Sequence, residues 1–394
     1  MSTHASHTAH ADVIVIGGGI MGCSTAYFLR RHGLSVVLLE RNLTGQQASG
    51  TNFGGVRRQG RALPQLAMSN RALRIWRASR ELLGSDVEFL PSGHTRVAYH
   101  AHDAEYFDDY ARQARDYGLD LEVLHGAAMR RRFPFLGPDV LAASISPLDG
   151  HANPRLAAPA FARAARALGA DIRENASVRR VERTATGFRV ETVAGESLVA
   201  ERLAICAGAW TNALASQFGE SAPLTVRYVF RSSMGVYTSI KEESIYFRQI
   251  PRGNLILGGG PPGPADAATS RAAVLPENTL GQLRQFRRLV PGVAPLHIIR
   301  VWSGVESYLP DGEPVIGKSG TTDGLYYAFG FSGSGFQIGP GVGETLAELI
   351  ATGRSEIDLQ PFRIQRFDAP GPSTPASAPI MAQGDPLSPT VTSS

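Results

Sequence analysis

The first residues able to do chemistry form a glycine-rich turn near the start of the chain. Gly17, Gly19 and Gly22 have the spacing G-x-G-x-x-G, directly after an apolar run that predicts a buried strand. In this motif the first glycine permits a tight turn, the second lets the backbone approach a pyrophosphate, and the third lets a helix pack on the strand. The amides of that helix then face the anion. The pattern predicts a binding site for a dinucleotide.

An acidic side chain follows at the distance expected for such a site. Glu40 comes directly after a second apolar run, Ser35–Leu39, and stands eighteen residues after Gly22. A carboxylate there accepts hydrogen bonds from an adenosine ribose but repels a 2′-phosphate. NADP is therefore disfavoured, while FAD and NAD remain. The alternative is a turn that only tightens a strand and helix unit.

Charged and aromatic side chains that could bind a substrate lie in two places. Arg57 and Arg58 belong to a glycine-rich loop, 45–60, and could supply charge to a phosphate or to a substrate carboxylate. Five later side chains could line a pocket: Tyr228, Phe230, Tyr237, Tyr246 and Arg248. Arg248 is favoured because a carboxylate needs a fixed cationic fork. The alternatives are solvated arginines and aromatic rings that only pack in a core.

The elements that must position these residues are strands and helices of two kinds of domain. Helical patterns follow the first motif up to Gly33 and recur over Pro64–Leu83, and Val87–Tyr99 has the alternation typical of strands. A second nucleotide-domain piece leads to a buried strand at 202–206 and then to the small residues Ala207–Trp210. Strands of a substrate domain are predicted at Val226–Phe230, Met234–Tyr237, Ser244–Arg248 and Asn254–Gly258.

Composition narrows the classes of function. With 394 residues, 43% of them hydrophobic, the chain predicts two domains or one domain with a large insertion. The formal charge of +4 comes mostly from scattered arginines without interleaved aromatic residues, so no nucleic-acid partner is expected. Cys23 and Cys206 belong to no C-x-x-C pair, which argues against metal or dithiol chemistry.

Targeting and membrane segments are not expected either. The first ten residues are polar and lack an apolar core, so no secretory signal is visible and the cytoplasm is the predicted location. The apolar stretch Tyr326–Ala351 contains many glycines, Pro340, Glu344 and Glu348, which argues against a transmembrane segment. Residues 369–394 are rich in Pro, Ser, Thr and Ala, which predicts a disordered tail.

The motifs together carry a family resemblance. Gly17–Gly22, Glu40–Arg41, Ala48–Gly50, Ala207–Trp210 and Pro310–Gly317 resemble the D-amino-acid oxidase, glycine oxidase and sarcosine oxidase superfamily of FAD enzymes. The resemblance is strongest to sarcosine oxidase β subunits, opine oxidases and D-amino-acid dehydrogenases. It implies an α/β (α+β overall) fold in which a Rossmann-like FAD-binding domain of the glutathione-reductase type is interleaved with an antiparallel β-sheet substrate domain. FAD-binding parts are expected at 11–85, 149–222 and 299–366, substrate-domain parts at 86–148 and 223–298, and the tail at 367–394.

The resemblance also implies roles for individual residues. The pyrophosphate of FAD would lie at Gly17, Gly19, Ile20, Met21 and Gly22, the ribose at Glu40, and the phosphates along Ser49 and Gly50. Val178 would contact the adenine side, and Ala207, Gly208 and Trp210 would pack close to the cofactor. Backbone amides and a helix start near 330–338 would stabilise negative charge on the reduced flavin. The remaining cofactor contacts expected are Arg41, Gly304, Gly333, Ser334, Gly335, Phe336 and Gln337. Catalytic roles are predicted for Arg57, Tyr246, Arg248 and Ser334.

Two positions depart from the family pattern. Many relatives have histidine where this chain has Ser334, so neither covalent flavin attachment nor a histidine charge is implied there. Glu306 stands where glycine-oxidase-like relatives would have an arginine for the substrate carboxylate. A carboxylate repels another carboxylate and attracts a cationic amine, which favours a secondary amine or a larger amino acid over glycine. Alternatively, Glu306 only pairs with an arginine.

The reaction implied is oxidation of the C–N bond of an amino acid or secondary amine that is sarcosine-, opine- or D-amino-acid-like. A hydride passes from the carbon next to nitrogen to flavin N5, and water hydrolyses the resulting imine. The electron acceptor would be oxygen or a quinone. Two alternatives stay open: a flavin-binding subunit of a multi-subunit amine dehydrogenase that is inactive without partner subunits, and an NAD-dependent dehydrogenase.

Overall fold

The computed structural model describes residues 9–227, 234–238, 243–261 and 263–368. The predicted pocket residues Tyr228 and Phe230, most of the strand predicted at Val226–Phe230, and residues 369–394 of the predicted tail lie outside these ranges.

The strands and helices of the described ranges follow in chain order. The strands are β1 Ala9–Ile16, β2 Val36–Leu39, β3 Gly55–Val56, β4 His94–Ala98, β5 Glu122–His125, β6 Ala142–Ser146, β7 Gly150–His151, β8 Asp171–Arg173, β9 Val178–Thr184, β10 Gly187–Thr192, β11 Ser197–Ile205, β12 Thr225–Arg227, β13 Met234–Tyr237, β14 Ile245–Gln249, β15 Leu255–Gly259, β16 Ala265–Asp266, β17 Arg271–Ala272, β18 Glu306–Tyr308, β19 Val315–Lys318 and β20 Leu325–Phe329. The α-helices are α1 Ile20–Arg31, α2 Ala48–Thr51, α3 Leu66–Arg77, α4 Ser79–Leu83, α5 Ala101–Arg115, α6 Gly126–Arg132, α7 Pro154–Ala167, α8 Thr211–Ala215, α9 Pro276–Leu289 and α10 Gly335–Thr352. Among these helices, none is both long and apolar enough to cross a lipid bilayer.

The larger sheet contains the strand that precedes the glycine motif. Its main path has the order β19-β20-β11-β1-β2-β8, while β10 pairs with β11 and β9 pairs with β10. β8, β2, β1, β11 and β20 run parallel to their neighbours, and β19 is antiparallel at the edge. The chain passes from β1 to β2 on one side, whereas β11 lies on the other side of β1. In open sheets of this type, ligands bind outside the carboxyl ends of the strands where the strand order reverses.

Two helices with small residues at their contact cover one face of this sheet. Ser24 Oγ of α1 donates a hydrogen bond to the carbonyl of Gly339 in α10 at 3.2 Å. A Cβ on Gly343 would lie 2.1 Å from Ser24 Oγ, so the two backbones can approach this closely only because position 343 has no side chain. The contact brings the start of α10 beside the start of α1, where a Cβ on Gly335 would lie 3.2 Å from Met21 Cε.

The second sheet has the order β15-β14-β13-β4-β6-β5. Its strands are antiparallel except for the parallel pair β13 and β4. The strand predicted over Val87–Tyr99 is wrong in its first half, because only His94–Ala98 is a strand. Positive φ angles at Glu88 (56°) and Gly93 (78°) interrupt the extended backbone, and Leu90 makes a single bridge to His151 instead. The assignment of the two sheets to FAD-binding and substrate domains stays a prediction.

The single helix predicted over Pro64–Leu83 is also wrong. A 3₁₀ turn at Leu63–Gln65 leads into α3, which ends at Arg77, and α4 follows after Ala78. Ala78 leaves helical geometry, with φ −92° and ψ 5°, and separates the two helices. The carbonyl of Leu82 then accepts a hydrogen bond from Tyr27 Oη of α1 at 3.0 Å, a tertiary contact that no local pattern signals.

Candidate active site

A cavity of about 410 Å³ opens at the carboxyl ends of the parallel strands. Its lining includes Ile16 at the end of β1, Leu39 at the end of β2, Cys206 after β11 and Phe329 at the end of β20. This is the position that the strand order predicts for a ligand site. A cavity of this size lies within the range of small-molecule and cofactor pockets.

The glycine turn forms one wall of the cavity, and at Gly17 and Gly22 the backbone packs too closely for a side chain. Gly17 has φ +107°, and a Cβ on it would lie 2.4 Å from the carbonyl oxygen of Cys206. Gly17, Gly19, Ile20 and Met21 line the cavity. Gly22 is not among the lining residues, because its missing side chain serves packing: a Cβ there would lie 1.9 Å from the Gly17 carbonyl. The bare backbone and the start of α1 fit a pyrophosphate.

Two side chains hold the turn in place. Glu40 Oε2 accepts a hydrogen bond from the Gly18 amide at 2.6 Å, and Oε1 accepts one from the Asn42 amide at 2.9 Å. Ser49 Oγ accepts a hydrogen bond from the Ile20 amide at 2.8 Å. Glu40 and Ser49 both line the cavity. Gly50 lies behind the loop, where a Cβ would be 2.1 Å from the Gly45 carbonyl.

Arg41 and Trp210 stack on each other at the cavity wall, with Arg41 Cζ 3.7 Å from the indole centroid. Arg41 Nη2 donates to Ser270 Oγ at 2.8 Å, and Trp210 Nε1 donates to the Ala267 carbonyl at 2.7 Å. Burial lowers the pKa of Arg41, partly offset by the nearby Glu40 charge. The hairpin of β16 and β17 therefore lies against this wall, a contact that the sequence did not indicate. Val178, Ala207 and Gly208 also line the cavity.

The late segment, whose helix starts beside the start of α1, also contributes to the lining. Ser332 and Gly333 have positive φ angles of 47° and 75°, and α10 begins two residues later at Gly335. Gly333, Ser334, Gly335, Phe336 and Gln337, the cofactor contacts that the resemblance implies, all line the cavity. Ser334 is the N-cap residue but its side chain makes no cap hydrogen bond. The first amides of a helix carry a partial positive charge, which fits a negatively charged group.

Arginines of the loop after α2 have different roles. Arg57 lines the cavity, and its Nη1 donates to the carbonyl of Gln59. Arg58 instead points into the protein, where its Nε lies 3.0 Å from Oδ1 of the buried Asp149. Arg61, which the sequence analysis missed, also lines the cavity. The available signal was that Arg61 follows Arg57 by four residues. Spacing alone could not show that Arg61 lines the cavity while Arg58 does not.

Two predicted catalytic residues stand behind the lining. Arg248 is 8% exposed, and its Nε donates to the Phe53 carbonyl at 3.0 Å. The ring of Tyr246 meets the ring of Phe53 edge to face at 5.4 Å. Phe53 lines the cavity, whereas neither Tyr246 nor Arg248 is among the lining residues that the structure describes. Burial lowers the pKa of Arg248 to about 10, against a smaller opposing effect of Glu88.

Gly304 and Glu306, two residues apart, lie in different surroundings. A Cβ on Gly304 would lie 2.0 Å from Thr51 Oγ1, so this glycine packs against α2 and is not among the described lining residues. Glu306 does line the cavity, and its Oε2 accepts a hydrogen bond from Tyr308 Oη at 3.2 Å. The cavity therefore carries an acidic group as well as the guanidinium groups of Arg57 and Arg61.

This chain is similar to known proteins in both sequence and fold. It is 29% identical over 395 residues to 4-methylaminobutanoate oxidase (formaldehyde-forming) of Paenarthrobacter nicotinovorans, covering 93% of this chain but only 47% of that protein. It is 29% identical over 376 residues to a subunit of the opine oxidase of Rhizobium meliloti, covering 91% of this chain and 98% of that one. The crystal structure of L-proline dehydrogenase from P. horikoshii superimposes with a TM-score of 0.82 at 25% identity, covering 92% and 98% of the two chains. The chain spans about half the length of the first of these relatives.

The family itself follows from a match over most of the chain. The model of the DAO family, described as FAD dependent oxidoreductase, matches residues 12–349. This confirms the resemblance inferred from the motifs at Gly17–Gly22, Glu40–Arg41, Ala48–Gly50, Ala207–Trp210 and Pro310–Gly317, and it sets the NAD-dependent alternative aside. The chain belongs to the DAO family of FAD-dependent oxidoreductases.

Proposed function

We propose that the chain holds FAD in this cavity and oxidises the C–N bond of a small amino acid or secondary amine that carries a carboxylate. The main support for this substrate class is that Arg57 and Glu306 line the same cavity as the glycine turn. A cation and an anion in one pocket suit a substrate with both a carboxylate and an amine. The names 4-methylaminobutanoate oxidase and L-proline dehydrogenase describe substrates of this class.

The proposed cofactor contacts divide by their chemistry. Gly19 and the first turn of α1 beyond Ile20 would offer backbone amides to the pyrophosphate, since the amides of Gly17 and Ile20 already donate to the Leu39 carbonyl and to Ser49 Oγ. Glu40 would offer a carboxylate to the ribose. The segment from Gly333 to Gln337 offers the start of α10 to the flavin. Gly22, Gly50 and Gly304 would act indirectly, by letting these parts pack closely. Bound FAD would supply the acceptor for a hydride from the carbon next to nitrogen.

The chain's own residues would bind and orient the substrate. Arg57 would hold the carboxylate, which limits the positions the reacting carbon can take. Glu306 would attract the amine or a second cationic group. Arg248 and Tyr246 would act through Phe53, whose ring and carbonyl they contact, rather than by touching the substrate.

The first experiment is an absorbance spectrum followed by anaerobic mixing with sarcosine, proline, opines and D-amino acids. We expect flavin bands that bleach with one class of carboxylated amine. A colourless protein that cannot be reconstituted with FAD contradicts the cofactor site, and a yellow protein that no amine bleaches contradicts the proposed reaction.

A matched variant tests the carboxylate role of Arg57. A charge-assisted hydrogen bond contributes about 1.5–3 kcal/mol, so Arg57→Gln should raise KM for proline about 10- to 100-fold. Pyrrolidine, the same ring without the carboxylate, is the control substrate, and its kcat/KM should stay within threefold of the wild-type value. An equal loss for both compounds would show that Arg57 does not recognise the carboxylate.

A second candidate function is a flavin-binding subunit that works with partner chains. Two relatives are named as subunits, one of the opine oxidase of Rhizobium meliloti and one, the β chain, of the sarcosine oxidase of Rhodobacter capsulatus. This chain spans 98% and 88% of their respective lengths. Reoxidation of the reduced protein distinguishes the candidates. Reoxidation by oxygen indicates a single-chain oxidase, reoxidation by a quinone indicates a dehydrogenase, and reoxidation by neither indicates a subunit that lacks its acceptor.

A cytoplasmic location stays a prediction, which cell fractionation tests.

A further inference from the structure

Arg61 connects the loop that carries Arg57 to the start of α10. Its side chain lines the cavity although the residue is only 4% exposed. Nε donates to the carbonyl of Arg57 at 3.0 Å, and Nη2 donates to the carbonyl of Ser334 at 2.9 Å. One guanidinium thus holds two backbone segments, each of which contributes to the cavity wall.

The guanidinium is itself oriented from behind. Nη1 donates to Gln65 Oε1 at 3.1 Å, and Gln65 Nε2 donates to Glu313 Oε2 at 2.8 Å. The backbone of Glu313 is fixed in turn, because its carbonyl accepts a hydrogen bond from Arg366 Nη2 at 2.7 Å. Burial raises the pKa of Glu313. The planar fork of an arginine suits such a network because its donors have fixed directions.

The segment that Arg61 holds has an unfavourable backbone conformation. Ser332 is a non-glycine residue with φ +47°, a conformation that costs free energy and needs support from its surroundings. Ser332 Oγ supplies part of that support by accepting a hydrogen bond from the Leu309 amide at 3.1 Å. The bond from Arg61 to Ser334 adds support on the other side of the turn. Without it, the first turn of α10 loses an anchor at the cavity.

The charge of Arg61 has the same sign as the helix terminus that it holds. Ser334 is the N-cap residue of α10, so the bond at 2.9 Å places a full positive charge beside the partial positive charge of the first helical amides. Both charges lie in a largely buried wall, where electrostatic interactions are screened less than in water. An anion at this wall would be stabilised by both.

We propose that Arg61, whose hydrogen bonds anchor the start of α10 at the cavity, favours reduced over oxidised FAD by its charge. The proposal rests on FAD occupying the cavity as proposed above. Uptake of two electrons and one proton converts neutral oxidised flavin into a reduced form with one negative charge, so a fixed cation nearby raises the reduction potential.

The test measures the two-electron reduction potential of the FAD-loaded protein by equilibration with reference dyes, with no amine present. Arg61→Gln removes the charge, and Arg61→Lys keeps it while losing the fork. Arg74→Gln is the control, because Arg74 is a surface arginine of α3 that pairs with Glu344. We expect Arg61→Gln to lower the affinity for reduced relative to oxidised FAD about tenfold, which is about 30 mV. Arg61→Lys and Arg74→Gln should stay within threefold of the wild-type ratio.

Three outcomes overturn the proposal. The first is a wild-type potential in Arg61→Gln. The second is an equal fall in Arg61→Lys and Arg61→Gln, which would assign the effect to loop geometry rather than charge. The third is a wild-type protein that cannot hold FAD. If Arg61→Gln does not fold, a tenfold shift in Arg61→Lys still contradicts the proposal. Because no amine is used, a panel of amines that fails to react leaves this measurement intact.

Discussion

Breaking the buried ion pair behind the arginine loop should cost far more stability than breaking an exposed pair of the same kind. Arg58 Nε lies 3.0 Å from Asp149 Oδ1, and the two side chains are 6% and 0% exposed. Asp149 Oδ2 also accepts hydrogen bonds from the amides of Arg58 at 2.7 Å and Gln59 at 3.3 Å. Removal of the arginine leaves a buried carboxylate with two backbone donors but no counter-ion among the residues that the structure describes.

The size of the effect follows from these contacts. Loss of one partner of a buried pair costs about 3–5 kcal/mol. Arg58→Met should fall near the lower end, about 3 kcal/mol, because the two amides still solvate Asp149. The matched control is Arg74→Met, whose partner distance to Glu344 is a similar 3.1 Å but whose side chain is 69% exposed. An exposed pair contributes about 0–1 kcal/mol.

The assay is urea unfolding of both variants and of the wild type at one fixed FAD concentration, since bound ligand shifts apparent stability. We expect the Arg58→Met midpoint to fall well below that of Arg74→Met with similar slopes. Equal losses for the two variants, within about 0.5 kcal/mol, would refute the argument that the buried carboxylate depends on Arg58. Arg58→Met with Asp149→Leu should recover part of the loss, because no unpaired charge then remains.

Two further predictions concern the cofactor and pH. Gly17→Ala places a Cβ 2.4 Å from the Cys206 carbonyl oxygen at a φ of +107°, so the turn must shift. FAD affinity, measured by quenching of flavin fluorescence, should fall at least about 100-fold. Retained wild-type affinity would contradict the proposed pyrophosphate site at this turn. Burial, with a smaller effect of the Arg248 charge, lowers the pKa of His151 from 6.5 to about 4. The unfolded chain therefore binds more protons between these values, so His151 contributes stability above pH 6.5 that is lost as pH falls towards 4, roughly 3 kcal/mol in all. His151→Gln should remove that part of the pH dependence in unfolding experiments between pH 4 and 7, and an unchanged slope would show that His151 is not buried in its neutral form.

Local patterns and the family resemblance together singled out much of the proposed cofactor end of the site. The glycine spacing, Glu40, Ala207–Trp210 and Gly333–Gln337 could be recognised because each lies at the end of a short apolar run. A strand end followed by small residues is a local feature, so it is visible without knowledge of the neighbouring strands. The structure brings these four segments to one cavity.

The substrate end was less predictable because it depends on contacts between distant segments. Tyr246 and Arg248 lie on a strand, as the pattern indicated, but both contact Phe53, which lines the cavity, and neither is among the described lining residues. Arg61 is far from Ser334 along the chain, and no repeat or motif connects the two. Of the three neighbouring arginines, Arg57 and Arg61 line the cavity, whereas Arg58 pairs with the buried Asp149, a distant partner that no local pattern indicates.

The sequence alone determined the family and predicted the glycine turn as a cofactor site, because both depend on residue types at short spacings and on the period of apolar positions. Only the tertiary structure decided that Arg57, Arg61 and Glu306 share one cavity while Arg58 and Arg248 are buried behind it. The physical reason is that a side chain's environment is set by strand pairing and helix packing, which join residues far apart in the chain.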